Sequence, residues 1–282
     1  MSDLALSIYT PIAIMLVLGM PHGALDAHIV NSATRNKRQT IGLLFAYVLL
    51  ALATVLFWWA FPTIAIAIFL ALSTVHFGRS DLNTHQKTNA PATIEANARI
   101  NPTAQDFVRF VSHGGIWTVL LPLIQWDLVE PIFSVLGCQT VILKYALNGA
   151  ALVWGLCLLI TLFAYRKTLA TEQSIVLFAG VSAAILAPPL WALCLYFCFW
   201  HARRHTSWVL STFPPRSVAL RFMVVFSLIP LTGMLCWFLF IPTELNLEGL
   251  SLQLFFVGIF ALTVPHMLLI DYYLGSKPTV HR

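Results

Sequence analysis

The sequence is poor in charged residues, which make up only 10% of the chain. Soluble globular proteins contain about 25% charged residues, so a shortage of this size excludes a soluble protein. Hydrophobic residues make up 59% of the chain, and the mean hydropathy is +0.83. The composition therefore indicates an integral membrane protein.

Three other features are absent. The first twenty residues lack a basic segment and a small-residue cleavage site, so we interpret them as a retained first helix rather than a signal peptide. The five cysteines lie mostly within apolar segments and imply no disulfide framework. No soluble domain interrupts the apolar segments, and the longest polar stretch, residues 79–106, is either a tether or a cytoplasmic loop long enough to act as a lid.

Apolar segments long enough to cross a bilayer recur along the whole chain. They predict an all-α membrane bundle of about nine transmembrane helices, with eight to ten allowed, in a single domain over residues 1–282. The predicted helices are 4–22, 41–60, 62–78, 107–125, 139–164, 174–187, 190–202, 221–241 and 251–274. The short pair 174–187 and 190–202 also allows one kinked helix and a re-entrant segment, because Pro188 and Pro189 separate the two.

The distribution of Lys and Arg predicts the orientation of the bundle, because cytoplasmic loops carry an excess of these residues. With nine helices and the N-terminus outside, all of the 16 basic residues except Lys144 fall on the inner side. The C-terminus is then cytoplasmic. The net charge of +5 reflects this topology and does not indicate a nucleic-acid partner.

Histidines on separate predicted helices lie at one depth in the bilayer. With a rise of about 1.5 Å per residue, His22, His76, His201 and His266 lie roughly 27, 21, 18 and 24 Å from the outer ends of their helices. His113, on a helix that runs the other way, reaches the same depth. Ionisable side chains inside a membrane are costly and usually mark function, so this pattern predicts a shared site in the cytoplasmic half.

The local spacing around these histidines is typical of metal binding. His201 and His205 are four residues apart, so they share one helical face and can bind one metal ion. His22 and Asp26 have the same spacing, which predicts that the carboxylate orients the imidazole. His28 falls on another face and is predicted to be solvated.

Two further aspartates follow histidines at a spacing of five. Asp81 follows His76 and Asp271 follows His266, about 140° away on a continuous helix. Each aspartate is therefore predicted to pair with a different helix, unless Gly78 breaks the third helix. A role of Asp81 and Asp271 in orienting a metal-binding histidine is the other interpretation.

Prolines and cysteines near the histidines allow further interpretations. Pro21 and Pro265 each precede a histidine and are predicted to kink their helices and free a backbone carbonyl. Cys194 and Cys198 lie on a face similar to that of His201. A mixed Cys and His zinc site is one interpretation, and the usual role of buried cysteine as an apolar filler is the other.

A site made mostly of neutral imidazoles suits iron, copper or zinc. The motif for covalent haem is absent. Paired histidines could still hold haem from both sides, but that arrangement leaves the other histidines and the three aspartates without a role. A substrate dissolved in the lipid could reach a site at this depth.

Four stretches, "MPHGALDAH", "VHFGRSD", "FWHARRH" and "VPHMLLIDYY", occur in this order along nearly the whole chain. Together they resemble the bacterial and archaeal Brp/Blh family of membrane β-carotene 15,15′-dioxygenases. The resemblance implies an iron(II) enzyme of the inner membrane that uses O2 to cleave the central double bond of β-carotene into two retinal molecules, supplying a microbial rhodopsin. The implied iron ligands are His22, His76, His201 and His205. For His266 the resemblance leaves three roles open: a fifth ligand, a group that orients a ligand, or a proton donor.

Three other functions remain compatible with the sequence. A transporter or proton-relay protein would use intramembrane His and Asp side chains to carry ions. A membrane hydroxylase or desaturase would bind two metal ions with more of these side chains. A rhodopsin assembly factor would bind retinal without making it.

Overall fold

The structure is a computed structural model that describes residues 5–83, 103–164, 171–240 and 246–273. All regular secondary structure in these ranges is helical. We number ten helices in chain order: α1 (Ser7–Ala33), α2 (Lys37–Ala60), α3 (Pro62–Asn83), α4 (Ala104–Ile124), α5 (Trp126–Val135), α6 (Thr140–Phe163), α7 (Thr171–Leu186), α8 (Pro189–Cys194, Leu195–Ala202 and Arg203–Thr212 in succession), α9 (Arg216–Phe240) and α10 (Leu247–Ile270).

Seven of these helices are long and apolar enough to cross a membrane, namely α1, α2, α3, α4, α6, α9 and α10. The apolar part of α7, Ser174–Leu186, is shorter. Helix α8 is long, but its second half contains Arg203, Arg204 and His205. The predicted polytopic helical membrane fold is confirmed, whereas the count of nine spans and the orientation stay predictions.

Two helices extend about ten residues beyond their predicted ends. Helix α1 ends at Ala33 instead of residue 22, and α8 ends at Thr212 instead of residue 202. Hydropathy underestimates the length of both helices because the added segments contain polar residues, among which Asp26, His28, Arg204 and His205 are buried. Helices α7 and α8 are separate, with Ala187 and Pro188 between them, so they are not one kinked helix. The alternative of a re-entrant segment stays a prediction.

Helices α3 and α4 approach each other unusually closely at two glycines. A Cβ on Gly78 would lie 1.9 Å from the backbone oxygen of Phe110, and a Cβ on Gly114 would lie 1.8 Å from that of Thr74. Small residues of this kind let membrane helices pack backbone to backbone. The hydroxyls of Thr74 and Thr118 also share a hydrogen bond of 2.5 Å, and the contact fixes the part of α3 that carries His76.

The helices differ in how much of their surface faces the bundle interior. In α4, 67% of the membrane-spanning segment is buried, whereas α2 and α9 have 6% and α6 has 17%. Helix α4 is therefore central, and α2, α6 and α9 present large apolar side chains to the lipid. Helices α1, α3 and α10 are intermediate at 39%.

Candidate metal centre

Five histidine rings from four helices meet in the interior of the bundle. Helices α1, α3 and α10 contribute one ring each and α8 contributes two, and six pairs of ring centres lie 5.0–5.6 Å apart. All five side chains are buried, with 1–8% of their surface exposed. We call this set the histidine cluster: His22, His76, His201, His205 and His266.

The histidine cluster fits a bound metal ion. Imidazoles that bind one ion at about 2.0–2.1 Å have ring centres roughly 5 Å apart, which is the spacing found here. Neither ring nitrogen of His205 has a hydrogen-bond partner among the described residues, and the same holds for Nδ1 of His201. Buried polar atoms are nearly always partnered, so these nitrogens are available to a ligand. Both ring nitrogens of His113 also have no partner among the described residues, so the short ring spacing is what distinguishes the cluster. Imidazole nitrogens suit iron, copper or zinc.

Three of the four helices are wound as π-helix next to their cluster histidines. The stretches are Met15–Gly19, Leu195–Ala202 and Leu268–Tyr273. Each wider turn rotates the following side chains relative to a regular α-helix, and such turns are frequent at functional sites. The stretches in α1 and α10 flank Pro21 and Pro265, at the positions where the sequence predicts a local distortion.

The local backbone of α1 fixes which nitrogen of His22 can bind a metal. The Gly23 N–H bonds to the Met20 carbonyl at 3.1 Å, so it does not take the carbonyl of Gly19. That carbonyl accepts a hydrogen bond from Nδ1 of His22 instead. With its proton on Nδ1, the ring keeps Nε2 as the nitrogen that can bind a metal ion.

A carboxylate inside the bundle holds His266. The two carboxylate oxygens of Asp26 lie 3.0 and 2.8 Å from Nδ1 of His266, so Nε2 is the nitrogen of this ring that can bind a metal ion. The predicted pairing of Asp26 with His22 is wrong, because the Gly19 carbonyl on the same helix already holds that ring. Ligand atoms of Asp26, His205 and His266 lie within 4.8 Å of one another.

Tyr47 also contacts Asp26, and this role is not predicted from the sequence. Its hydroxyl donates to Asp26 at 2.9 Å and lies 3.3 Å from the Leu262 carbonyl. A tyrosine about ten residues into an apolar span is the signal that could have revealed it, because a hydroxyl in hydrocarbon needs a protein partner. Tyr47 therefore anchors the carboxylate that holds His266.

Replacing Tyr47 with phenylalanine is expected to weaken metal binding about tenfold, the usual effect of losing a group that supports a metal ligand. The fold should be unchanged, because only one hydroxyl is removed. Competition with a chelator measures the metal affinity. The control is Tyr145→Phe on α6, whose side chain is 74% exposed and should not matter. Equal metal affinity in Tyr47→Phe and the unmodified protein would contradict this role.

Two other histidines lie outside the cluster. His28 is buried, and its Nε2 donates to the Phe213 carbonyl at 2.8 Å. The prediction that it is solvated is wrong, because α1 continues past it into the bundle. His113 on α4 is also buried, but it takes no part in the ring contacts that define the histidine cluster.

The remaining candidates have different outcomes. The Cys198 thiol lies 3.8 Å from the Ile14 carbonyl and packs in an apolar cluster that includes Cys194, which favours the apolar-filler interpretation for both. The side chains of Asp81 and Asp271 lie outside the described residues, so their roles stay predictions. Most of the predicted lid, residues 84–102, also lies outside them.

An apolar cavity adjoins the histidine cluster. Side chains of α1, α3, α4, α5, α8 and α10 line it. Phe77 and Phe197 belong to this lining and also contact the cluster, with ring centres 5.0 and 5.9 Å from that of His201. An apolar ligand in the cavity would therefore lie one aromatic ring away from the imidazoles.

The fold and the site together define an integral membrane protein with an interior histidine centre suited to a metal ion. A family model described as Beta-carotene 15,15'-dioxygenase matches residues 13–273. The chain is also 33% identical over 269 residues to the Beta-carotene 15,15'-dioxygenase of uncultured marine bacterium 66A03, covering 93% of this chain and 92% of that protein. The chain therefore belongs to the beta-carotene 15,15′-dioxygenase family, which confirms the resemblance. No solved structure matches it.

Proposed function

We propose that this protein cleaves the central 15,15′ double bond of β-carotene with O2 and releases two molecules of retinal. The balance is simple: one carbon–carbon double bond breaks, and each carbon receives one atom of the O2 molecule. Membership of the family supports this reaction. The observation that carries the proposal is the contact between the histidine cluster and an apolar cavity through Phe77 and Phe197.

We propose that iron(II) is bound by His22, His76, His201 and His205, with His266 as a fifth ligand. When bound, iron(II) supplies the redox chemistry that allows O2 to react with a carbon–carbon double bond. Neutral imidazoles suit this ion. The Gly19 carbonyl and Asp26 hold Nδ1 of His22 and of His266, and the ring centres lie 5.6 Å apart, which supports Nε2 of each ring as the proposed ligand atom.

The cavity side chains bind and position the substrate. A long hydrocarbon offers no hydrogen bond, so its affinity comes from burial of apolar surface. Met15, Trp117 and the two phenylalanines supply such surface, and the same lining excludes water. The position of the cavity relative to the histidine cluster then selects which double bond is cut.

The cellular context follows from the charge distribution and the family. We propose that the protein lies in a prokaryotic inner membrane with its N-terminus outside and the site in the cytoplasmic half of the bilayer. The retinal product would pass through the lipid to a microbial rhodopsin. We propose that Asp81 and Asp271 support neighbouring imidazoles.

Chromatography of carotenoids from a β-carotene-accumulating bacterial host tests the proposed function. Cells that express the protein should lose β-carotene and gain retinal, and cells that express His22→Ala should keep β-carotene. Unchanged β-carotene beside iron-loaded protein would refute this substrate. Unchanged β-carotene and no metal would favour a transporter, and two metal ions per chain would favour a hydroxylase or desaturase.

A further inference from the structure

The hydroxyl of Ser73, in the wall of the cavity, lacks the hydrogen bond that other helical hydroxyls in this protein make to their own backbone. Hydroxyls in α2, α3, α4, α9 and α10 donate to the carbonyl four residues earlier at 2.6–2.8 Å, namely those of Thr54, Thr74, Ser112, Ser227 and Ser251. Ser73 makes no such bond, and its Oγ has no hydrogen-bond partner in the part of the chain that the structure describes. Its side chain is buried, with 2% of the residue surface exposed.

Ser73 lies in the wall of the cavity, on the helix that carries His76. It lines the cavity and precedes His76 by three residues and Phe77 by four, so it lies about one helical turn away from both on the same face of α3. Thr118 is the other hydroxyl of the lining. The Thr118 hydroxyl forms hydrogen bonds with the Thr74 hydroxyl at 2.5 Å and with the Gly114 carbonyl at 3.2 Å. Of these two hydroxyls, Ser73 is therefore the one that can donate a hydrogen bond to a ligand.

The Ser73 hydroxyl suits the cleavage product better than it suits β-carotene as a hydrogen-bond partner. A buried hydroxyl without a partner is costly, so its position indicates a ligand with an acceptor atom. β-Carotene is a hydrocarbon and has no such atom. Cleavage of its central bond creates a carbonyl oxygen on each half, at the cut end and therefore beside the histidine cluster. Ser73 lies one helical turn before His76, so its hydroxyl can reach an aldehyde oxygen beside the cluster.

We propose that Ser73 is the aldehyde-binding residue of the cavity: its Oγ–H donates a hydrogen bond to the carbonyl oxygen of retinal. This inference rests on the proposed function, because it takes retinal as the product. Ser73 contributes to binding only once the oxygen is present, so it distinguishes the product from the substrate. The residue thereby holds the cut end beside the cluster until the product leaves through the lipid.

Equilibrium binding tests this role without relying on turnover. Purified full-length, iron-loaded protein is titrated under anaerobic conditions with all-trans-retinal and with a retinoid hydrocarbon of the same length that lacks oxygen. Quenching of tryptophan fluorescence reports occupancy, since Trp117 lines the cavity. Ser73→Ala should weaken retinal binding about 5- to 10-fold, the effect of one lost hydrogen bond, and leave hydrocarbon binding unchanged. Ser73→Thr should restore retinal binding.

The control is Ser227→Ala on α9, whose hydroxyl already bonds to the Met223 carbonyl and does not line the cavity. Unchanged hydrocarbon binding by Ser73→Ala shows that the variant is folded. Equal retinal affinity in Ser73→Ala and the unmodified protein overturns the inference, as does a lack of retinal binding by the unmodified protein. If the unmodified protein still converts β-carotene to retinal in those cases, the proposed function stands and only the role of Ser73 fails.

Discussion

Replacing His201 with alanine is expected to abolish both iron binding and the formation of retinal. His201 is 1% exposed, and its ring centre lies 5.3 Å from that of His22 and 5.0 Å from that of His76. Its loss removes one ligand and opens a gap between the other imidazoles. The expected loss of activity is on the order of 100-fold or more, beyond the effect of removing a group that merely supports a ligand.

The matched control is His113→Ala, because His113 is also a buried histidine in a membrane-spanning helix but lies outside the ring contacts of the cluster. Iron content by elemental analysis and retinal formation are measured for both variants. His113→Ala should keep its iron. A His201→Ala protein with full iron and full activity would show that the histidine cluster is not the metal centre, and so would equal losses in the two variants.

Replacing Gly78 with alanine is expected to destabilise the protein and to remove the metal with it. The added Cβ would lie 1.9 Å from the backbone oxygen of Phe110, and a backbone atom cannot move aside as the end of a side chain can. Helix α3 must therefore shift away from α4. Overpacking of this kind costs about 1–3 kcal/mol, occasionally more. Because His76 is only two residues away, the shift also moves a proposed ligand of the metal ion.

The same substitution, glycine to alanine, at two positions on α6 provides the controls. A Cβ on Gly149 or Gly155 would meet nothing within 4 Å, so alanine there should be neutral or slightly stabilising, since alanine favours helices over glycine. Thermal unfolding in detergent and iron content are measured for all three variants. A Gly78→Ala protein that unfolds at the same temperature as Gly149→Ala would contradict the close contact between α3 and α4.

The membrane fold is predictable because hydropathy is a local property, which can be read from contiguous stretches of the sequence. Each apolar stretch must be helical in lipid to satisfy its backbone, so the existence of most helices follows from local sequence alone. Their polar ends do not follow. The C-terminal segments of α1 and α8 resemble loops in composition, and only the surrounding helices show that residues such as His28 and Arg204 are buried.

The members of the histidine cluster were also predictable, but the contacts that hold them were not. A common depth on separate helices grouped His22, His76, His201 and His266, and the four-residue spacing added His205. The same depth also included His113, which lies outside the ring contacts of the cluster. Depth gives no information on rotation about a helix axis. The partner of Asp26 depends on that rotation, as do the inward hydroxyl of Tyr47 and the unengaged hydroxyl of Ser73.

The central claim is that the histidine cluster is an iron centre that cuts β-carotene at its middle. Its most direct test is product stoichiometry with purified, iron-loaded protein in detergent, supplied with β-carotene and O2 and followed by chromatography. We expect two molecules of retinal for each β-carotene consumed and no longer aldehydes from cuts at other bonds. Stable β-carotene in the presence of fully iron-loaded protein, or products of unequal length, would contradict the account.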